Sequence, residues 1–127
     1  MKILSIFLSI ILLFSGCKKD SNGPDRVSIT ISASTVPVGE LSMIEGVYSD
    51  GEGIVNFVTD GGTGGNYQNS FVVPNHSTVT VSAVANLGSK EANVEISING
   101  KTVASNKATP GLNGLVMAQV SYPVSIK

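Results

Sequence analysis

The sequence predicts an all-β domain, an antiparallel two-sheet sandwich of about seven to eight short strands. Three observations lead there. Apolar and polar residues alternate with a period of two in one segment after another, the pattern of strands with one buried face. Turn residues rich in Gly, Asn and Pro punctuate these segments. Beyond residue 25, no stretch repeats its apolar residues at the 3.6-residue period of an amphipathic helix.

The chain has 127 residues and opens with Met1-Lys2, then an apolar run from Ile3 to Phe14 broken only by Ser5 and Ser9. As a helix that run is roughly 18 Å long, whereas a bilayer core asks for about 20 apolar residues. The run is short for a membrane span and suits the apolar region of a secretory signal behind a basic start. Small residues, Ser15 and Gly16, follow, and then Cys17, the only cysteine. Residues 1–16 are therefore expected to be a signal peptide. Cys17 to Asp25 is polar, with Gly23 and Pro24, and reads as a tether; residues 26–127 form the domain.

The strands follow in order. Val27, Ile29, Ile31 and Ala33 alternate with Ser28, Thr30, Ser32 and Ser34, and Pro37 and Gly39 end that strand. Leu41 to Ser49 is a second run, and Asp50-Gly51-Glu52-Gly53 is a turn signal. Ile54 to Thr59 is a third strand, closed by a glycine cluster ending at Asn66. Tyr67 to Val73 is a fourth, ended by Pro74-Asn75. Val79, Val81, Ala83 and Ala85 alternate in a fifth; Val94, Ile96 and Ile98 do so in a sixth. Asn99-Gly100 matches the two-residue hairpin turn whose central residues both need positive φ. Lys101 to Ser105 returns as a seventh strand, and Val116, Ala118, Val120 and Tyr122 mark the last. Pro123 has no N–H to give to a ladder, so the last strand belongs at an edge. By this reading Gly100→Val is strongly disfavoured, and Gly88→Val, in a longer loop, is easier to absorb.

Phe14-Ser15-Gly16-Cys17 resembles the lipobox of bacterial lipoproteins, with Phe14 where leucine is commonest. The resemblance implies signal cleavage at Ser15-Gly16-Cys17 and acylation of Cys17 by fatty acids such as palmitate. Stable anchoring takes more than one acyl chain, which a fully modified lipoprotein cysteine supplies. Lys18 and Lys19 would add attraction to an anionic surface. Lys18 rather than aspartate after the cysteine resembles the sorting pattern for the outer membrane of Gram-negative cells. With Cys17 acylated, no disulfide can form.

The stretch from Tyr48 to Val124 resembles small envelope β-sandwich domains of the MmpS type. The residues that carry this are Tyr48-Ser49-Asp50-Gly51, Val79-Thr80-Val81-Ser82-Ala83, Val94-Glu95-Ile96-Ser97-Ile98-Asn99-Gly100-Lys101-Thr102-Val103 and Ala118-Gln119-Val120-Ser121-Tyr122. The resemblance implies an immunoglobulin-like or MmpS-like sandwich tethered to a membrane. This chain departs in its anchor, a cysteine rather than a membrane helix, and in lacking a cysteine pair, so the family's role beside lipid-exporting transporters does not follow.

Composition and chemistry argue against catalysis. Without Lys2 the remaining chain has seven basic and nine acidic side chains, a net charge of about −2 with no basic stripe for nucleic acid. His76, the only histidine, lies in the turn Pro74-Asn75-His76-Ser77. A serine triad would have to use it, and a zinc site needs three or four protein ligands. Asp50, Glu52 and Asp60 flank one hairpin and are the only candidates for paired-carboxylate work. With Asn66 they offer oxygens for calcium, but their spacing fits no EF-hand. The glycines from Gly61 to Gly65 lack the Lys-Ser or Lys-Thr of a phosphate loop. Tyr48, Tyr67 and Tyr122 are the aromatics that a glycan-binding face would need to expose.

The expectation is a non-catalytic, lipid-anchored envelope β-sandwich with no cofactor, acting by protein contact or as a structural element. Its partners are the membrane, through the lipid, and envelope proteins. The alternative is a ligand-binding lipoprotein for glycan or lipid, which coplanar exposed tyrosines would favour.

Overall fold

The computed structural model describes residues 23–60 and 66–127. Residues 1–22, with the expected signal peptide and Ser15, Gly16, Cys17, Lys18 and Lys19, and residues 61–65 lie outside the described residues. The described chain is all-β: β1 (Arg26–Val36), β2 (Leu41–Ser49), β3 (Ile54–Asp60), β4 (Tyr67–Pro74), β5 (Thr78–Ala85), β6 (Glu91–Ile98), β7 (Lys101–Ala108) and β8 (Val116–Pro123). They form two four-stranded sheets, ordered β4-β1-β6-β7 and β3-β2-β5-β8, with every pairing antiparallel. Only β2–β3 and β6–β7 are hairpins; the other connections cross between the sheets, which makes this a sandwich.

The period-two pattern decides the core. Val27, Ile29, Ile31 and Ala33 of β1, and Val94, Ile96 and Ile98 of β6, face inward and are buried. Opposite them lie Leu41 and Ile44 of β2, Val79, Val81, Ala83 and Ala85 of β5, and Val116 and Ala118 of β8. Burying each such Val, Ile or Leu contributes roughly 1.5–3 kcal/mol. Pro123 ends β8, an edge strand, where its missing N–H is harmless.

Three aromatics close one side of the sandwich. The Phe57 ring on β3 lies 6.2 Å from Tyr48 on β2 and 5.1 Å from Phe71 on β4, meeting the latter edge-on. Phe57 is an extra residue in β3, since Gly46 pairs with Val58 and Val47 with Asn56. The bulge swings the ring over Gly46 and across to the other sheet.

Asn99 and Gly100 have φ values of 53° and 76°, and Ile98 pairs with Lys101 across them. No neighbour lies within 4 Å of a Cβ placed on Gly100, so a substitution there meets backbone strain alone. We expect Gly100→Val to lose about 1–3 kcal/mol, the range for a residue held in a disfavoured conformation. Gly88 differs from the sequence-based expectation. It is no slack loop residue: it has φ 92° in a turn closed by Ser89 N–H donating to the Asn86 carbonyl at 3.1 Å. Gly88→Val should therefore lose a similar amount. Urea midpoints of the two variants check this, and a Gly88→Val midpoint equal to the parent's would restore the original ranking.

The domain also begins earlier than Arg26. Asn75 Nδ2 donates to the Pro24 carbonyl at 2.8 Å, and Asn75 N–H donates to the Asp25 carbonyl at 2.9 Å. A Cβ on Gly23 would collide with the Ile126 carbonyl. The last residues of the expected tether are thus fastened to the fold.

Candidate functional site

The residues singled out for chemistry do not come together. His76 sits exposed in the β4–β5 turn with φ 64°, its N–H donating to the Val124 carbonyl at 2.8 Å. Asp50 Oδ1 accepts the Glu52 N–H at 2.9 Å, a turn-closing bond. Asp60 ends β3 at the opposite end from that turn. A seven-residue strand separates them, about 20 Å at ~3.3 Å per residue. They flank one strand and cannot hold one ion or serve one substrate. Among the described residues, no group of three His, Cys, Asp or Glu is placed to bind a metal. Tyr48, Tyr67 and Tyr122 are half-buried and packed against the core, so they form no exposed aromatic face.

Strand addition at the sheet edges meets local obstacles. Extra residues, Phe57 in β3 and Val103 in β7, bulge two of the four edge strands. Asparagine side chains take backbone groups on the others. Asn69 Oδ1 accepts the Ser70 N–H of β4 at 2.8 Å, and Asn106 Nδ2 donates to the Gln119 carbonyl of β8 at 2.8 Å. Bulges and occupied edge groups are how sheets resist a further strand.

Two surfaces stand out, although Ile54, 77% exposed, and Val55 and Val72 are also exposed elsewhere. The first is the end of the sandwich farthest from Arg26, where the turns β1–β2, β5–β6 and β7–β8 meet. Each turn carries an aliphatic side chain into solvent. Val38 is 70% exposed, Leu87 74%, and Leu112 fully so. Val36, Leu115 and Met117 border them and are exposed as well. Turns are ordinarily polar, so this clustering departs from pattern. The turns are also held in place. Asn86 N–H donates to the Glu40 carbonyl and Lys90 N–H to the Val36 carbonyl, both at 2.7 Å. Thr35 Oγ1 bonds the Pro37 carbonyl at 2.9 Å and accepts the Glu40 N–H at 3.1 Å. Gly111 N–H donates to the Leu115 carbonyl at 3.0 Å.

The second surface is a trough of about 300 Å³ on the outer face of β4, β1 and β6. It is lined by Ser32, Ala33, Ser34, Asn66, Tyr67, Gln68, Asn93 and Glu95. Register explains the depression: Ser32 lies between Gln68 and Glu95 on its neighbouring strands, and Ser34 beside Asn93. Short serines on the middle strand run between longer side chains on the flanking ones.

No protein-family model matches the chain, and no curated protein matches it. Sequence reasoning missed both surfaces. The apolar end had a signal, an aliphatic residue between turn formers in Val36-Pro37-Val38-Gly39, Asn86-Leu87-Gly88 and Gly111-Leu112-Asn113-Gly114. The trough had none, because it depends on which strands are neighbours.

Proposed function

We propose that this chain is a non-catalytic β-sandwich of a bacterial cell envelope, anchored by lipid on Cys17 to the outer membrane and acting through contact with envelope proteins. The observation that carries the contact reading is the apolar end. Val38, Leu87 and Leu112 project from three separate, hydrogen-bonded turns. Exposed aliphatic clusters of this kind mark interaction sites on soluble domains. Their position agrees with the anchor: Cys17 precedes Arg26 by nine residues, and Arg26 opens β1 at the other end of the sandwich. β1 has 11 residues, so the two ends stand roughly 36 Å apart at ~3.3 Å per residue. A domain held at the Arg26 end presents its apolar end away from the anchoring bilayer.

The leader and Phe14-Ser15-Gly16-Cys17 support the anchor. Cys17→Ser should leave precursor or soluble protein, and wild-type protein should incorporate labelled fatty acid. Protein that takes up no label sinks the anchor. Photo-crosslinkers placed at Val36 and Met117, beside the cluster, test the contact, each with and without Leu87→Ser/Leu112→Ser as the disrupted surface. The same crosslinked partner should be captured from each site and lost in the double variant; partners captured equally well from Gln119, on a different face, would remove the contact reading. The alternative, a ligand-binding lipoprotein, draws its support from the trough.

A further inference from the structure

The outer face of the β4-β1-β6-β7 sheet is largely polar, and three pairs of its side chains bond each other. Thr30 and Ser70 share a hydroxyl bond of 2.9 Å, Ser97 and Thr102 one of 3.4 Å, and Lys107 pairs with Glu91 at 3.5 Å. The trough between these pairs is different. Ser32, Ser34, Asn66, Gln68, Asn93 and Glu95 all line it, and none of these side chains bonds another described residue. Two rows of such groups lie side by side, Gln68-Ser32-Glu95 and then Ser34-Asn93. The rows are about 7 Å apart along the strands, and the outer strands about 10 Å apart across them. An area of that size admits a single six-membered sugar ring.

The chemistry narrows the ligand. Two asparagines and a glutamine each offer a donor and an acceptor, and the serine hydroxyls give or take hydrogen bonds. Glu95 supplies two acceptor oxygens. Adjacent hydroxyls of a sugar both donate and accept, so they match this set. No Lys, Arg or His lines the trough, and Glu95 would repel an anion. The volume lies at the lower end of the range for small-molecule sites.

We propose that the trough on β4, β1 and β6 is a binding site for a neutral saccharide, with Gln68, Asn93 and Glu95 as its principal hydrogen-bonding residues and Ser32 and Ser34 as its floor. This deepens the ligand-binding alternative and is independent of both the anchor and the apolar end. Its failure leaves those intact, and theirs leaves it intact.

The test is a titration of the ¹⁵N-labelled full-length chain in detergent with maltotriose, cellotriose and tri-N-acetylchitotriose, using glucuronic acid as the anionic control. At least one neutral trisaccharide should shift the amides of Ser32, Ser34, Gln68, Asn93 and Glu95 together, and glucuronic acid should leave them in place. Gln68→Ala and Glu95→Gln should each weaken binding about tenfold, the factor that ~1.4 kcal/mol represents. Ser32→Phe, which fills the floor, should abolish it, while Gln119→Ala on the other sheet should change nothing. Three outcomes overturn the proposal: no shift with any of the three sugars, shifts that map outside the trough, or glucuronic acid binding as tightly as the neutral sugars.

Discussion

Gly46→Val is expected to destabilise the domain by about 3 kcal/mol, the upper part of the range for overpacking a well-filled interior. Gly46 lies buried in the middle of β2. A Cβ there would come within 2.6 Å of Phe57 Cζ and 2.8 Å of Val58 Cγ1. Real Cβ atoms do not approach so closely, so something must move. Phe57 has little room, because its ring is held between Tyr48 at 6.2 Å and Phe71 at 5.1 Å. Relief by moving Phe57 breaks the contact with Phe71, which joins the two sheets on that side. Relief by moving β3 weakens its pairing with β2. Gly46→Ala should already cost about 1–2 kcal/mol through its one added carbon. The double variant Gly46→Ala/Phe57→Leu should recover part of that loss, because neighbours that share a clash do not add. Urea midpoints of the four proteins measure the coupling. Additive losses, or a Gly46→Ala midpoint equal to the parent's, would show that the ring does not rest on Gly46.

That glycine also illustrates what was legible in the sequence. The strands were, because burial on one face writes a period of two into the chain. Val79, Val81, Ala83 and Ala85 alternate in the sequence, and all four are buried in the fold. Local turn chemistry was legible too: Asn99-Gly100 is both the sequence signal and the positive-φ pair. Strand neighbours were not. Nothing local says that β1 sits between β4 and β6, or that β8 crosses to pair with β5 rather than β7. Every feature that needs such neighbours was hidden for the same reason. Gly46 reads as an ordinary strand glycine until Phe57 is placed above it. Ser32 and Ser34 read as the polar half of an alternation until Gln68, Asn93 and Glu95 rise on either side. Asp50, Glu52 and Asp60 read as neighbours because sequence distance is short, but an extended strand carries its two ends far apart. Bulges were hidden as well, since the extra residue in β3 is a property of its pairing with β2.

Asn75→Ala is expected to lose about 3 kcal/mol and to loosen both ends of the domain together. Asn75 was legible only as a strand-ending turn residue, but in the fold it is nearly buried, at 9% exposure. Its Nδ2 donates to the carbonyls of Pro24 and Ile126, each at 2.8 Å. Its Oδ1 accepts the N–H of Ile126 at 3.0 Å and of His76 at 3.1 Å. One side chain therefore ties the segment before β1 to the segment after β8, which are 102 residues apart at Pro24 and Ile126. Removing a partner from a buried donor or acceptor costs about 1–3 kcal/mol. Truncation here strands groups on two segments at once, and water reaching the chain ends offsets part of the loss. Asn75→Asp separates the two halves of the clamp. It keeps the acceptor toward Ile126 and His76 but sets carboxylate oxygen against the Pro24 and Ile126 carbonyls, so it should be no better than alanine. The distinguishing readout is amide exchange. In Asn75→Ala the amide of Ile126, which loses its acceptor, should exchange by local opening, at a rate that low urea leaves unchanged. The amides of Ile31 and Ile96, deep in the sandwich, should change only as much as the global stability does. An Ile126 amide whose exchange responds to urea as those of Ile31 and Ile96 do would mean that Asn75 contributes to the fold as a whole and does not clamp its ends.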